Sequence, residues 1–208
     1  MNRLLAVTMI LFFTAFLMGC QSDEKQLNKM VKLIEESAPF EKDFAANQKK
    51  LDEARKNAQS VYLDLINLNY DDKDLITQKI NEANTYREEQ EKRLAEAEEN
   101  FQKAYETTVA IEKPMKKIKN EDQKKQVFEL VVMMNERKRL IEDFFEAYHE
   151  TLEWENSFYQ QLADGKYPLE DLDQQIHKIN KHNQDMEEMI HQFNQFTEKY
   201  NEGINDFL

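Results

Sequence analysis

The sequence predicts an all-α fold, an elongated antiparallel up-and-down bundle of four long helices with coiled-coil-like packing. The first observation is composition: 208 residues include only three Gly and three Pro, too few for a turn-rich β or α/β fold. The second is periodicity, because apolar residues recur at alternating steps of three and four in four blocks. Of the 44 positions in these blocks 36 are apolar, whereas the chain average of 40% would give about 18.

The first segment differs from the rest of the chain and is predicted to be a signal peptide over residues 1–19. Arg3 precedes an apolar run that ends at Met18, and this run is too short to cross a bilayer, which needs about 20 apolar residues. The run ends in Leu-Met-Gly-Cys, which resembles a bacterial lipobox. Cys20 is the only cysteine, and we expect it to carry a diacylglyceryl thioether as a membrane anchor. The alternative is an uncleaved anchor helix with an incidental cysteine.

Residues 20–208 are predicted to form one extracytoplasmic helical-bundle domain. The apolar stripes place its four helices at 40–68, 76–118, 127–162 and 172–207. The stripe changes register at each boundary, where residues 69–72, 120–122 and 164–168 supply turn or capping residues. Pro39 and Pro114 are each expected to mark a kink or a helix start. If Pro39 breaks the first helix, residues 23–37 form a separate short helix.

Catalytic and metal chemistry is not indicated by any motif. Two Glu-x-x-His pairs occur, Glu146/His149 and Glu188/His191, as in carboxylate-bridged metal bundles. The predicted core positions leave both glutamates facing away from the seam, so we expect no metal and no cofactor. With no Gly-rich phosphate loop and no catalytic triad ordering, the chain is predicted not to be an enzyme. A balance of 41 acidic against 28 basic residues also argues against a nucleic acid partner.

Polar residues interrupt the apolar stripes at one level of the predicted bundle. Antiparallel pairing about the three turns brings together Asn47, Arg87, Gln90, Glu155 and Asn183, with Tyr148 beside them. Such a buried polar layer has two explanations. It contacts a ligand, or it specifies helix register at some cost in stability.

The two ends of the predicted bundle carry different surface residues. The end that returns to the lipid anchor has lysines in an otherwise acidic chain, and Lys116, Lys117, Lys119 and Lys124 are candidates for contact with anionic head groups. Ordinary helix-end charge is the alternative explanation. The far end carries Tyr70 and Tyr167 among carboxylates, a combination that could contact a glycan or partner protein or simply close the bundle.

The segment from Phe40 to Leu68, downstream of the lipobox, resembles the YkyA-like family of cell-wall-binding lipoproteins from Gram-positive bacteria. The resembling residues are Phe44, Gln48, Leu51, Tyr62, Ile66 and Leu68. The resemblance implies an all-helical extracytoplasmic lipoprotein that binds the cell wall, and it brings no catalytic residues.

Two functions follow as hypotheses. The first is a lipid-anchored, non-enzymatic helical rod on the outer face of the cell membrane, which binds peptidoglycan or another component of the envelope. Its strong negative charge would be repelled by anionic teichoic polymers. The alternative is a regulatory or scaffold partner that binds a wall hydrolase or a membrane protein complex through its helical surface.

Overall fold

The computed structural model describes residues 2–68, 72–165 and 168–207, with side chains from Ser22 onward except at Leu169 and Asp206. Within these residues the chain forms four long helices and one short helix: α1 (Asn2–Ile66), α2 (Lys73–Val109), α3 (Glu112–Met115), α4 (Glu121–Asp164) and α5 (Leu169–Phe207). The described residues contain no strand, and the predicted all-α bundle is confirmed.

Consecutive long helices pack side by side, α1 against α2, α2 against α4, and α4 against α5. None of the 44 predicted stripe positions is exposed, since each is buried or partly buried. The apolar core forms three clusters along the bundle, which include Leu65, Phe101 and Ile111 respectively. Burial of these stripes, more than intrinsic helix propensity, stabilises helices of this length.

Capping residues end the helices close to the predicted turns. The Asp72 carboxylate accepts a hydrogen bond from the Leu75 N–H at 3.1 Å, and Asn120 accepts two from the first turn of α4 at 3.0 and 3.1 Å. Gly165 ends α4 with φ +62°, a left-handed conformation in which glycine has no Cβ penalty. The turn chemistry read from the sequence therefore sets the helix boundaries at these three places.

Pro39 does not break the first helix. α1 continues through it, so residues 23–37 are not a separate helix. A proline inside a helix loses one backbone hydrogen bond, but neighbouring core contacts of Ile34 and Phe44, both buried, hold the helix on either side.

Pro114 does mark a break. α2 ends at Val109, before the predicted end at Ile118, and Pro114 lies in the short helix α3. Proline has no N–H to donate to the carbonyl of Ala110, and that oxygen instead accepts from the Lys113 N–H at 3.3 Å. The apolar stripe continues through this break because the tighter turns still point residues of α3 and the following turn into the core.

One seam of the bundle is more open than the others. The backbones of α1 and α5 approach each other less closely than those of the three consecutive pairs. Side chains still meet across it: the rings of Phe44 and Phe193 pack edge to face with centroids 5.7 Å apart. The wider spacing leaves a groove along this side.

Candidate functional site

A groove with a volume of about 470 Å³ lies along the seam between α1 and α5. It extends from Ile34 to Gln48 on α1 and from Phe193 to Ile204 on α5, roughly 20 Å at 1.5 Å per residue. Most of its surface is apolar or aromatic, whereas amide and hydroxyl groups occur on both helices: Ser37, Gln48, Asn194, Thr197 and Asn201. A largely apolar surface with a few polar groups is typical of ligand-binding clefts.

Arg137 of α4 forms the bottom of this α1/α5 groove. Its side chain is only 1% exposed. The Nη1 and Nη2 groups donate to the two carboxylate oxygens of Glu41 at 2.7 and 2.8 Å, and Nε donates to Thr197 Oγ1 at 3.1 Å. A paired fork of this kind fixes both partners, so Arg137 ties α4 to α1 and α5 below the groove.

Aromatic rings surround the Arg137 guanidinium. Its central carbon lies 5.6, 5.4 and 4.6 Å from the ring centroids of Phe101, Phe193 and Tyr200. These cation–π contacts offset part of the cost of burying the charge. Burial raises the pKa of Tyr200 to about 12, so its phenol stays protonated at physiological pH.

The charges of the groove balance one another. Glu41 neutralises Arg137, and the remaining two charged residues that border the groove are Glu35 and Lys42. The chain as a whole carries a formal charge of −13. The protein's field repels a polyanionic ligand, whereas the groove itself presents no net charge to an uncharged one.

A second, smaller cavity of about 30 Å³, which we call the polar cavity, lies nearer the other end of the bundle. It is bordered by Gln90, Glu155 and Asn183, three of the five residues predicted to form a polar layer, together with Tyr148 and Arg55. The Tyr148 hydroxyl donates to Gln90 Oε1 at 2.7 Å, and the Arg55 guanidinium donates to the main-chain oxygen of Asn183 at 3.4 Å. A space of this size accommodates about two water molecules.

The other two predicted members of the layer lie elsewhere. Asn47 is buried but does not border the polar cavity, and Arg87 forms an ion pair with Glu91 on its own helix. The structure therefore brings three of the five together, and their functional role stays a prediction.

The carboxyl of Glu155, which borders the polar cavity, has a raised pKa. Burial raises the pKa of this carboxyl to about 7, against the opposing effect of the Arg55 guanidinium. The Nε2 group of Gln90 is buried with no hydrogen-bond partner among the described residues. A cavity with a titratable carboxyl and an unsatisfied amide has the polar groups that hold ordered water.

The two Glu-x-x-His pairs do not converge. His149 Nε2 lies 2.7 Å from Glu98 Oε1 on α2, while His191 contacts Gln195 on its own helix. Among the side chains that the structure describes, no group of three or more His, Cys, Asp or Glu is placed to hold a metal ion.

The lysine-rich turn packs beside Asp23 of α1. The Asp23 carboxylate accepts hydrogen bonds from the N–H groups of Lys119, at 3.1 Å, and Asn120, at 3.0 Å. Lys116, Lys117 and Lys119 are exposed, whereas Lys124 is partly buried and lies 3.6 Å from Glu121.

Several predicted sites fall outside the described side chains, namely the signal peptide 1–19, Cys20, Tyr70 and Tyr167. Within the part that is described, no helix is both long and apolar enough to span a membrane.

Sequence reasoning missed Arg137, Glu41 and Arg55. The predicted stripe of α4 passes through Lys138, but this helix is also buried along a second row that contains Leu130, Leu140 and Phe144. Arg137 is a charged residue within this otherwise apolar second row, and that interruption could have identified it as a buried charge. Glu41 and Arg55 lie next to the apolar stripe of α1 but do not interrupt it, so the sequence pattern does not distinguish them from ordinary surface charges.

The fold defines an elongated all-helical bundle protein with a groove along one seam. A sequence profile described as "putative cell-wall binding lipoprotein" matches residues 25–208, and the chain belongs to this family, YkyA. The resemblance noted over Phe40–Leu68 is thereby confirmed and extends along nearly the whole chain. The family is one of lipoproteins, which are attached to the membrane in the cell envelope.

Two proteins are similar to this chain, one in sequence and one in fold. The chain is 27% identical over 190 residues to a Bacillus subtilis (strain 168) protein named "Uncharacterized lipoprotein YkyA", covering 91% of this chain and 85% of that one. It also resembles the 1.6 Å crystal structure of a conserved protein of unknown function from Staphylococcus aureus, with a TM-score of 0.72 and 16% identity. That match covers 91% of this chain and 95% of the other, and it bears on the fold alone.

Proposed function

We propose that this protein is anchored to the outer face of the cell membrane by a diacylglyceryl group on Cys20, binds a cell-wall polymer, and catalyses no reaction. The family description supports the lipoprotein class and wall binding. The sequence Leu-Met-Gly-Cys, which resembles a lipobox and ends at Cys20, supports the anchor. Removal of residues 1–19 leaves residues 20–208 as one extracytoplasmic domain held by two acyl chains, enough for stable attachment.

The observation that carries wall binding is the α1/α5 groove. Its amides and hydroxyls can pair with the amide, hydroxyl and carbonyl groups of peptidoglycan, and its aromatic side chains can pack against sugar or peptide carbons. Teichoic polymers carry dense phosphate charge, which a protein of charge −13 repels. Peptidoglycan is therefore the ligand that the groove fits best.

The groove also lies at a useful height along the bundle. Counting from Asp23, it begins about 16 Å along α1, at Ile34, and ends about 37 Å along, at Gln48. A wall strand that lies above the membrane could enter this groove from the side while the lipid anchor stays in place.

A sedimentation assay tests wall binding. Lipidated protein purified from membranes is mixed at physiological salt with peptidoglycan sacculi, either intact or stripped of teichoic acid. We expect retention on both, and stronger retention on the stripped sacculi because the anionic polymer is gone. No retention on either overturns wall binding and favours a regulatory partner, which in-cell crosslinking from Ala45 would then identify.

The anchor has its own test. Changing Cys20→Ala removes the acceptor for the diacylglyceryl group, and we expect the protein to leave the membrane fraction. Unchanged fractionation of this variant contradicts lipidation at Cys20, whatever the result with sacculi.

A further inference from the structure

The end of the bundle nearest the lipid anchor carries an unpaired basic surface. Lys113, Lys116, Lys117 and Lys119 are all exposed, and none of them has a carboxylate oxygen within 4 Å among the described side chains. The other two lysines of this turn, Lys124 and Lys125, form pairs only within α4. This positive surface belongs to a chain with a net charge of −13.

Hydrogen bonds fix this basic surface close to the anchor. The Asp23 carboxylate holds the backbone of Lys119 and Asn120, and Asp23 follows Cys20 by only three residues. Three residues of chain span at most about 11 Å. The exposed lysines therefore lie near the membrane surface whenever Cys20 carries its acyl chains.

Two exposed apolar side chains lie on α4, the helix that begins directly after the lysine-rich turn. Phe128 is 55% exposed and Val132 is 48% exposed, and a spacing of four residues puts them on one face of α4. They are about 10 and 16 Å from the start of α4 at Glu121. The third large exposed apolar residue among the described ones, Leu63, is near the opposite end of the bundle.

We propose that Lys116, Lys117 and Lys119, together with Phe128 and Val132, form a membrane-facing surface that leans the bundle onto anionic phospholipid. The lysines match the charge of the head groups, and the two apolar side chains enter the head-group region in the manner of an interfacial helix. Phe128 and Val132 are on the side of the bundle rather than at its tip. The bundle must therefore tilt toward the membrane for these side chains to reach the lipid, and this tilt places α4 against the membrane surface.

This proposal rests on the anchor at Cys20 but not on wall binding. Three lysines close to an anionic surface favour contact over a neutral surface on the order of 100-fold. Raised salt weakens that preference because the charges are screened. If this face instead bound a soluble partner protein, the contact would not depend on the charge of the lipid.

Tryptophan quenching by lipids with brominated acyl chains tests the proposal in protein whose lipidation has been verified by mass. The only tryptophan is first removed by Trp154→Phe. Phe128→Trp then places a probe on the proposed surface, and Leu63→Trp places a matched control at the opposite end. Each protein is reconstituted into vesicles of phosphatidylcholine alone or with one third phosphatidylglycerol.

We expect strong quenching of the Phe128→Trp probe in the phosphatidylglycerol vesicles and little quenching of the Leu63→Trp control. Adding Lys116→Gln, Lys117→Gln and Lys119→Gln should return the quenching to its level in phosphatidylcholine. Equal quenching of the two probes overturns the proposal, and so does quenching that ignores lipid charge. Circular dichroism confirms that each variant is folded, and verified lipidation separates failure here from failure of the anchor.

Discussion

Arg137 and Glu155 both belong to α4, but the charge of Arg137 is paired, whereas the carboxyl of Glu155 has no hydrogen-bond partner among the described residues. Arg137 has a bidentate carboxylate partner, a hydroxyl acceptor and three aromatic rings around it. Glu155 borders a small cavity, and no hydrogen bond to its carboxylate occurs among the described residues. Eighteen residues, or about 27 Å of helix, separate the two.

The comparison separates a charge that is neutralised by its partner, at Arg137, from a carboxyl that can titrate, at Glu155. The guanidinium of Arg137 is held by Glu41 and Thr197, so the bottom of the α1/α5 groove has a fixed shape and contains a paired charge. The carboxyl of Glu155 is neutral or charged according to pH, because burial raises its pKa to about 7. We therefore expect the stability contribution of the polar cavity to depend on pH.

The largest expected effect comes from removing the partner of the buried arginine. Glu41→Ala leaves the guanidinium of Arg137 uncompensated, and we expect the free energy of unfolding to fall by about 3–5 kcal/mol. Urea denaturation with an unchanged m-value measures this loss. Adding Arg137→Met should recover much of it, since the pair is then replaced by an apolar side chain.

A matched surface pair is the control for this change. Glu142 pairs with Lys138 at 2.6 Å, but both side chains are partly or largely exposed on one helix. Glu142→Ala should cost no more than about 0.5 kcal/mol. Equal losses for Glu41→Ala and Glu142→Ala would contradict the view that Arg137 is a buried charge that depends on its partner.

The next effect is at Glu155 and depends on pH. Glu155→Gln keeps the shape of the side chain and removes its charge, so we expect it to raise the free energy of unfolding at pH 8 by up to about 3 kcal/mol. At pH 4 the native carboxyl is already protonated, and the variant should match the parent. Urea denaturation at the two pH values gives the comparison.

The sign follows from proton linkage. The folded pKa of Glu155, about 7, is above the unfolded value of about 4.3, so between these values the folded state binds more protons. Stability from this group is fully present below the unfolded pKa and is lost as pH rises through the folded pKa. A gain from Glu155→Gln that is the same at both pH values would exclude titration of this carboxyl as the cause.

A smaller effect is expected where the polar cavity contains a direct hydrogen bond. Tyr148→Phe removes the donor to Gln90 Oε1 and leaves that oxygen buried, at a cost of about 1–2 kcal/mol. Gln90→Leu in the same protein should restore part of the loss, because the unpaired amide is then removed. A double variant less stable than Tyr148→Phe alone would show that the Gln90 amide has another partner, such as water.

Periodicity predicted the helices because each stripe position has to be buried for the bundle to form, and all 44 are at least partly buried. It did not predict the end of α2, because Ile111, just before α3, and Met115, at the end of α3, stay in the core after the helix breaks. Local turn chemistry was readable at Asn120 and Gly165 because capping depends on neighbouring residues alone.

The candidate site was less accessible to sequence reasoning. The pairing of Arg137 with Glu41 joins residues 96 positions apart, and no local pattern specifies it. The groove arises from the spacing of α1 and α5, which depends on how all the helices pack. Antiparallel counting did place Gln90, Glu155 and Asn183 near one another, because turn positions fix approximate levels in a bundle.

Blocking the groove tests the central claim, that the α1/α5 groove binds the cell wall. Ala45 is exposed and borders the groove, whereas its neighbour Ala46 is also exposed but does not border it. We predict that Ala45→Trp abolishes retention on peptidoglycan sacculi, while Ala46→Trp binds like the parent and both unfold at the parent's temperature. Equal retention of the two variants would contradict the claim and place any wall-binding surface elsewhere on the bundle.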